Sequence, residues 1–260
     1  MEKCNVLVCS PAYNQEGTLD EFVKRVLKTG GQNFSVHRIV IVNDASTDKT
    51  ASILKRLSSR YKKITIINER INRGPSRAVL DAFMEAERIV KRDKLDENPI
   101  VVRMDSDLDH QPEWISPMVE AVVSKNHSCV VGLVDYPISD GFFDWLYNRW
   151  YGRAQGKLFA GKPFVQQSPA FFAYKFSLLK KIIPKLEEYE KRYKKVYKTE
   201  DRVGIDIAAL SNVVRLGEQL DVLKFKRATP AGSRRPFKKI WMQRKEIKRH
   251  TKLAKKIVEE

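Results

Sequence analysis

Three carboxylates at alternate positions, Asp105, Asp107 and Asp109, follow an apolar run that starts at Ile100. A run rich in Val and Ile that breaks off abruptly is typical of a buried strand entering a loop. Carboxylates this close together repel one another, so we expect them to share a cation. Oxygen ligands suit Mg²⁺ or Mn²⁺, which often bridge to the phosphates of a substrate. A solvated acidic loop is the alternative interpretation of the same residues.

Three earlier apolar runs, 5–10, 39–42 and 64–67, are also predicted to be buried strands. Each is followed by polar turn residues and then by a helix-forming pattern of apolar positions. Thr18 is a candidate cap for the first of these helices, and Thr47 or Asp48 for the second. This βαβαβαβ alternation indicates a mainly parallel central sheet with right-handed crossovers, flanked by helices.

The carboxyl ends of parallel strands lie at one edge of a sheet, and ligands of open α/β proteins bind there. We therefore expect the residues that follow the four strands to converge on a binding edge: Tyr13, Asp44, Gly74 and Asp105. The glycine suits a turn with positive φ or a close backbone approach. Further along, we predict a strand at 130–134, a strand and turn at 167–172 and a helix at 203–216.

The composition narrows the class of protein. The chain has 260 residues, of which 42% are hydrophobic, enough for a substantial core. Its three cysteines form no spaced framework, which favours a reducing compartment. We expect no secretory signal, and no apolar stretch approaches the roughly 20 residues that span a bilayer. The net charge of +17 implies attraction to polyanions, and leaves nucleic acid, anionic lipid and nucleotide phosphates open.

Four short segments, in this order along the chain, resemble the family 2 glycosyltransferases of the GT-A fold. They are Pro11–Asn14, Val42–Asp48, Asn72–Gly74 and Asp105–Asp107. The run from Asp105 to Pro112 is most similar to the dolichol-phosphate mannosyltransferase branch. The resemblance covers the first half of the chain firmly and residues 130–235 loosely. It implies a GT-A domain over residues 1–233.

The resemblance also implies roles for the strand-end residues. Tyr13 would stack on the nucleotide base and Asp44 would accept a hydrogen bond from its edge. Asp105 and Asp107 would hold the ribose and the metal that bridges the diphosphate, and Asp109 stands where the branch usually has Gln. Together with these, the nucleotide-sugar site would include Pro11, Gly74 and Arg77, the last of them near the diphosphate.

An acceptor site is predicted from the second half of the chain. Arg149 and Arg153 share a helix face at i, i+4, which suits phosphate binding or a solvated basic face. Arg227 and Arg234 belong to a loop that resembles the phosphate-binding loop of the branch. The Arg that usually follows the glycine of the strand at 130–134 is replaced by Leu133, which counts against a polyprenyl phosphate acceptor.

A hydroxyl acceptor must lose a proton as it attacks, so it needs a base, whereas a phosphate acceptor is already an anion. Glu200 and Asp201 resemble the acidic motif that supplies this base in many family members. Asp206 is an alternative by position. Helix capping is the structural alternative for Glu200 and Asp201, because acidic residues favour the first turn of a helix.

Residues 234–260 contain eleven Lys or Arg and three Glu, a net charge of +8. Their apolar residues recur at near-helical spacing, which predicts a basic amphipathic C-terminal helix that binds an anionic membrane surface. A helix packed on the catalytic domain is the alternative. We accordingly expect a cytoplasmic protein that is peripheral at the inner face of the membrane.

Taken with the resemblance, these residues predict a metal-dependent glycosyltransferase. It would use Mg²⁺ or Mn²⁺ and a GDP- or UDP-linked sugar, with a polyprenyl (dolichyl) phosphate as the acceptor. A soluble or glycan hydroxyl acceptor is one alternative, and a nucleotide-sugar-binding protein without turnover is another. No recognised nucleic-acid motif accompanies the positive charge, so we expect no specific nucleic-acid partner.

Overall fold

The computed structural model describes residues 3–95, 98–135, 170–197 and 204–226. Its strands are β1 (Cys4–Ala12), β2 (Phe34–Asn43), β3 (Ile64–Asn68), β4 (Ile100–Arg103), β5 (Cys129–Asp135), β6 (Phe172–Lys175) and β7 (Leu220–Lys226). Its α-helices are α1 (Leu19–Lys28), α2 (Thr50–Arg60), α3 (Pro75–Arg92), α4 (Ile115–Ser124), α5 (Phe176–Tyr197) and α6 (Ile205–Arg215). A 3-10 turn, Pro112–Trp114, leads into α4.

The strands form one seven-stranded sheet in the order β3-β2-β1-β4-β6-β5-β7. The first four strands in this order, β3, β2, β1 and β4, pair in parallel, and so do β5 and β7. Only β6 runs against its two neighbours, β4 and β5. The predicted mainly parallel α/β sheet flanked by helices is therefore confirmed. The antiparallel orientation of β6 and the strand β7 are additions that the sequence-based prediction lacks.

Helices cover both faces of the sheet, so the inner strands are buried on both sides. Along β1, Leu7 and Cys9 face one core cluster, which is completed by α3, α5 and α6. Val6 and Val8 face the other cluster, against α1, α2 and α4. A strand covered on both faces carries a continuous apolar run instead of an alternating one. This explains why β1, β2 and β4 can be recognised as strands from the sequence alone.

The last predicted elements are found with small shifts. The strand predicted at 130–134 is β5, and the helix predicted at 203–216 is α6. The strand and turn predicted at 167–172 fall partly outside the described residues, and β6 starts only at Phe172. In the part of the chain that the structure describes, no helix combines the length and hydropathy needed to cross a bilayer.

An ion-pair hub lies at the amino edge of the sheet, near the start of β2. The Asp93 carboxylate accepts hydrogen bonds from Arg92 Nε (2.7 Å) and Arg38 (3.1 Å), and His37 Nε2 lies 2.8 Å from it. The hydrogen bond from Arg92, followed by the contact with His37, holds the pKa of Asp93 well below its usual range. The ion-pair hub therefore stabilises the folded state at pH values where the Asp93 carboxylate is ionised.

We expect Asp93→Asn to lower the free energy of unfolding at neutral pH, on the order of 1 kcal/mol because the pair is partly solvated. A depressed carboxyl pKa stabilises the fold above the unfolded-state pKa, and this contribution disappears as pH falls through the folded pKa. The difference between wild type and variant should therefore shrink in acid. Urea unfolding at neutral pH and near pH 3 measures it, and a difference that does not depend on pH would contradict the role of the hub.

Candidate active site

Four loops leave the carboxyl ends of β1 to β4, and each contains one residue with positive φ. These residues are Asn14 (53°), Ala45 (55°), Gly74 (86°) and Leu108 (65°). The left-handed region is sparsely populated by residues other than glycine, and Asn tolerates it best among them. Each loop thus turns sharply away from its strand at the same edge of the sheet. The predicted convergence of the strand ends is confirmed by the contacts described next.

The loops after β1 and β2 are joined by reciprocal hydrogen bonds. The backbone N–H of Asn14 donates to Ser46 Oγ at 3.0 Å, and Asn14 Oδ1 accepts the backbone N–H of Thr47 at 2.9 Å. Asp48 Oδ2 accepts the N–H of Glu16 at 3.1 Å. Its other oxygen accepts the N–H of Thr50, the first residue of α2, at 2.9 Å. The N-cap residue of α2 is nevertheless Lys49, without a side-chain capping bond, so the prediction that Thr47 or Asp48 is the N-cap is wrong.

Asp44 joins the loop after β2 to the loop after β3. Its carboxylate is buried and accepts the backbone N–H groups of Arg73 (2.7 Å) and Gly74 (2.8 Å). Each oxygen therefore carries one of these bonds, and the carboxylate fixes the turn in which Gly74 adopts positive φ. The predicted bond to a base edge stays a prediction, and it would use a lone pair that these two bonds leave over.

Tyr13 is the exposed aromatic residue of this edge, with 45% of its surface accessible. Its neighbour Pro11 is buried, and the Pro11 carbonyl accepts the hydroxyl of Ser106 at 2.8 Å. This bond holds the end of β1 against the loop after β4. An exposed ring on a fixed turn has the form that base stacking requires.

The loop after β4 is held in place from several sides. Thr18 Oγ1 lies 3.0 Å from the carbonyl of Ser106 and 2.8 Å from Gln15 Oε1. The threonine does precede α1, as predicted, but its side chain makes no capping hydrogen bond to the helix because these partners engage it. Gln111 Nε2 donates to the Leu108 carbonyl at 2.6 Å. The loop therefore has little freedom to move its carboxylates.

The three acidic side chains differ in environment. The side chain of Asp105 is 32% exposed. Burial, and then the charges of Asp105 and Asp109, raise the pKa of Asp107 to about 6. Asp107 Oδ1 also accepts the backbone N–H of Asp109 at 3.0 Å. Across the described ranges, no three His, Cys, Asp or Glu side chains form a metal-binding group.

This donor set fits a divalent cation that is shared with a substrate. Carboxylate oxygens are the ligands that Mg²⁺ and Mn²⁺ prefer, and Mg²⁺ sites commonly use one or two carboxylates plus phosphate oxygens. Burial is the first cause of the raised pKa of Asp107, and the neighbouring charges of Asp105 and Asp109 add negative charge that favours neutralisation. A cation at Asp105 and Asp107 would supply that neutralisation.

Arg103, the single charged residue of β4, is buried and connects two acidic residues. Its Nη1 donates to Asp105 Oδ1 at 2.5 Å. Its Nε and Nη2 donate to the two oxygens of Asp206 at 3.1 and 3.0 Å. Although burial opposes the charge, the Asp105 and Asp206 carboxylates hold the pKa of Arg103 above its ordinary value.

This ion pair bears on the predicted role of Asp206 as a base. Arg103 donates to both carboxylate oxygens of Asp206, and the Asp206 side chain is only 7% exposed. To take a proton from an acceptor, the carboxylate would have to leave Arg103. The assignment of Asp206 as a base stays a prediction that the geometry does not favour.

His110 belongs to the same site, although no role was predicted for it. It is buried and stacks on Phe171, with ring centroids 5.4 Å apart and planes at 23°. Its Nδ1 accepts the backbone N–H of Asp105 at 3.4 Å. Burial lowers the pKa of His110, which favours the neutral ring that this bond requires. Its position within the run from Asp105 to Pro112 was the sequence signal that could have identified His110 as a site residue.

The ring that supports His110 is itself fitted closely against Gly132. A Cβ built at this glycine would lie 2.2 Å from Phe171 Cδ1. We therefore expect Gly132→Ala to lower the free energy of unfolding by about 1–3 kcal/mol through overpacking. Urea unfolding measures this change. Gly17→Ala is the matched control, since nothing lies within 4 Å of its added Cβ. Equal stability of the two variants would show that Phe171 moves aside freely.

Arg77, predicted near the diphosphate, is engaged by carboxylates. It donates to Asp81 Oδ1 at 2.6 Å and to Glu190 on α5 at 2.8 Å. A diphosphate would have to compete with both partners, so its role stays a prediction. The remaining predicted residues lie outside the described residues: Arg149, Arg153, Glu200, Asp201, Arg227, Arg234 and the segment 234–260.

Comparisons with known proteins agree with this geometry. A family model described as Glycosyl transferase family 2 matches residues 7–183. The dolichol-phosphate mannosyltransferase of Pyrococcus furiosus is 35% identical over 124 residues, which are 47% of this chain and 31% of that protein. An undecaprenyl-phosphate 4-deoxy-4-formamido-L-arabinose transferase of Pectobacterium carotovorum is 30% identical over 162 residues, 60% of this chain and 46% of that protein.

The fold has solved counterparts. Glucosyl-3-phosphoglycerate synthase from Mycobacterium tuberculosis, solved with Mn²⁺, UDP and phosphoglyceric acid, superposes with a TM-score of 0.62 at 16% identity. The match covers 96% of this chain and 78% of that one. The chain spans only a third to a half of the curated relatives named above. The family model, however, covers more than half of the chain, and the strand-end loops lie within the matched range. This chain therefore belongs to glycosyl transferase family 2.

Proposed function

We propose that this glycosyltransferase binds a UDP- or GDP-linked sugar at the carboxyl edge of its sheet and transfers the sugar to a polyprenyl phosphate. One observation carries the donor half of the proposal. The carboxyl ends of neighbouring parallel strands carry the exposed Tyr13, the loop fixed by Asp44, and the carboxylates of Asp105 and Asp107. Hydrogen bonds join the loops in which these residues lie. An aromatic platform and acidic residues on one edge suit a base and a metal-bound diphosphate.

Each part of this edge has a task in the proposal. Tyr13 stacks on the base, and Asp44 holds the turn at Gly74 so that the backbone can approach the nucleotide closely. Asp105 and Asp107 would hold Mg²⁺ or Mn²⁺, with Asp109 as an auxiliary carboxylate. The bound cation would neutralise charge on the diphosphate leaving group.

Two arguments support a phosphate acceptor. Curated relatives carry dolichol-phosphate and undecaprenyl-phosphate in their names. In addition, Arg103 engages Asp206, the one candidate base among the described residues. A phosphate oxygen is already ionised and attacks without a base, so it tolerates this arrangement. Arg149, Arg153, Arg227 and Arg234 are the cations we propose for binding the acceptor phosphate.

The basic segment 234–260 is proposed to hold the enzyme reversibly at an anionic leaflet, where a lipid-linked acceptor collects. Its net charge of +8 comes with apolar residues at helical spacing. Each basic residue near such a surface contributes about 1 kcal/mol, and the attraction falls off within a Debye length. The enzyme would then be cytoplasmic and peripheral at the inner face of the membrane.

A hydroxyl acceptor is the second candidate function, with Glu200 or Asp201 as the base. It is favoured by Leu133, which stands where the mannosyltransferase branch usually carries an arginine. The two candidates differ in a single chemical requirement, because only the hydroxyl needs deprotonation.

A transfer assay separates the two candidates. The full chain is incubated with Mn²⁺, radiolabelled nucleotide sugars and one of three acceptors: a short polyprenyl phosphate, the matching polyprenol or a soluble glycan. We expect label in the lipid fraction with the phosphate only. Transfer to the polyprenol or to a soluble glycan, lost in Glu200→Gln or Asp201→Asn, would establish the hydroxyl candidate instead.

A further inference from the structure

Arg103 links three segments that are far apart in the sequence. Beyond its bonds to Asp105 and Asp206, its Nη1 donates to the carbonyl of Ala170 at 2.9 Å. Asp105 follows β4, Ala170 lies two residues before β6, and Asp206 is in the first turn of α6. One guanidinium therefore fixes the acidic loop and the starts of two elements in the second half of the fold.

A second contact holds α6 at the same edge. The backbone N–H of Ile205 donates to Ser76 Oγ at 3.3 Å, and Ser76 lies in the first turn of α3, beside Gly74. The beginning of α6 is therefore tied to two of the strand-end loops, through Ser76 and through Arg103. Residues 204–206 directly follow the segment that contains Glu200 and Asp201, the predicted acidic motif.

The charges around Arg103 are arranged so that Asp105 can still bind a cation. A buried arginine paired with Asp105 alone would hold that carboxylate firmly and compete with any cation. Asp206 supplies a second carboxylate through two parallel hydrogen bonds, the strongest geometry for this pair. Asp105 gives Arg103 one bond, from Oδ1, and its side chain remains 32% exposed.

We propose that Arg103 and Asp206 form a positioning pair, which orients the Asp105 carboxylate for the donor's cation and couples it to the start of α6. The inference rests on the proposed metal-binding role of Asp105. Neither residue of the pair touches the substrate or the cation in this proposal. Both act through Asp105, as partners of metal ligands commonly do.

The deciding variant is the double substitution Arg103→Met with Asp206→Leu. It removes one positive and one negative charge, so the net charge of the site is unchanged. It leaves neither member of the buried pair without its partner, and apolar replacement of a buried ion pair is often neutral for stability. Asp105 loses its bond to Arg103, but its side chain is 32% exposed and can be solvated. A loss of affinity in this variant can then be assigned to the orientation of Asp105, not to net charge or unfolding.

Calorimetric titration of the full chain with Mn²⁺ and UDP, and separately with Mn²⁺ and GDP, provides the readout. We expect the double variant to keep its melting temperature and to bind the preferred pair about 10–100-fold more weakly, the usual range for partners of metal ligands. Affinity equal to wild type would overturn the proposal and leave the ion pair with a purely structural role.

Arg103→Lys tests the same point should the double variant fail to fold. A lysine keeps the charge but cannot make the forked pair with Asp206 while also reaching Asp105. We expect a loss of affinity in the same direction, and unchanged affinity would overturn the proposal. Asp93→Asn is the control, because it breaks an ion-pair hub at the opposite edge of the sheet and should leave affinity unchanged.

Asp105→Ala separates failure of this inference from failure of the proposed function. If Asp105→Ala binds Mn²⁺ and nucleotide as tightly as wild type, the metal role itself is wrong. If Asp105→Ala loses affinity while the double variant and Arg103→Lys keep it, the metal role stands and the positioning pair is refuted.

Discussion

Asp105→Ala and Asp107→Ala should each abolish detectable Mn²⁺-dependent binding of the donor while the protein stays folded. Both carboxylates lie in a loop anchored by other groups, through Ser106 to Pro11 and through Gln111 to the backbone of Leu108. Removing either carboxylate therefore removes a proposed ligand of the cation without removing the anchors of the loop. Calorimetry with Mn²⁺ and a nucleotide sugar measures the loss, and thermal unfolding checks the fold.

Asp109→Ala is the matched control for these two variants, because it removes a third carboxylate from the same loop. We expect a milder effect for two reasons. The variant keeps the backbone N–H of residue 109 that donates to Asp107, and no three-ligand group forms in the described ranges. Unchanged affinity in Asp105→Ala or Asp107→Ala would contradict the metal role. An effect of Asp109→Ala as large as theirs would indicate three ligands.

Asp44→Ala should have the second largest effect, because it costs both stability and nucleotide binding. Two backbone donors, the buried N–H of Gly74 and the partly buried N–H of Arg73, would lose their acceptor. A buried donor without a partner costs about 1–3 kcal/mol, so we expect a loss of about 2–4 kcal/mol in the free energy of unfolding. The turn at Gly74 would also loosen, so UDP and GDP should both bind more weakly.

Asp48→Ala is the matched control for Asp44. Asp48 also accepts two backbone N–H groups, those of Glu16 and Thr50, but it is partly exposed, so water can replace it. Its loss should cost less stability and should leave nucleotide affinity unchanged. Urea unfolding and calorimetry provide both readouts. If the two variants lost equal stability, burial of the Asp44 carboxylate would not be the cause of its effect.

The first half of the fold was predictable because its signals are local. A strand covered on both faces appears as an apolar run, as in β1 and β4, and polar turn residues mark the strand ends. Parallel topology then places those ends on one edge without knowledge of any particular contact. Tyr13, Asp44 and Asp105 could be named as neighbours for this reason.

The second half was less predictable because its placement depends on pairing over long distances. The strand β6 is only four residues long and lies antiparallel between β4 and β5, which its sequence does not indicate. The helix α5 has a legible stripe of apolar positions, but Pro184 and many charges interrupt it. The helix α5 was missing from the sequence-based prediction, and the strand and turn predicted at 167–172 share only Phe172 with β6.

Two site residues escaped prediction in part because they have remote partners: His110 stacks on Phe171, and Arg103 pairs with Asp206. Arg103 appears in the sequence only as an interruption of an apolar run, and its partner Asp206 lies 103 positions away. In the same way, Arg77 was predicted near the diphosphate because it lies close to Gly74, and the sequence does not indicate its contact with Glu190 of α5. Residue types indicate what chemistry is available, and the tertiary contacts decide which groups are already engaged.

Metal-dependent binding of a nucleotide sugar is tested most directly by a thermal-shift comparison of nucleotide sugars on the wild-type chain. UDP- and GDP-linked sugars are each added with Mn²⁺, without Mn²⁺ and with excess EDTA, because a ligand that binds only the folded state raises the melting temperature by mass action. We expect the melting temperature to rise with nucleotide sugars of one base, in the presence of Mn²⁺, and EDTA to abolish this rise. No rise with any nucleotide sugar, or a rise that EDTA does not change, would contradict this expectation.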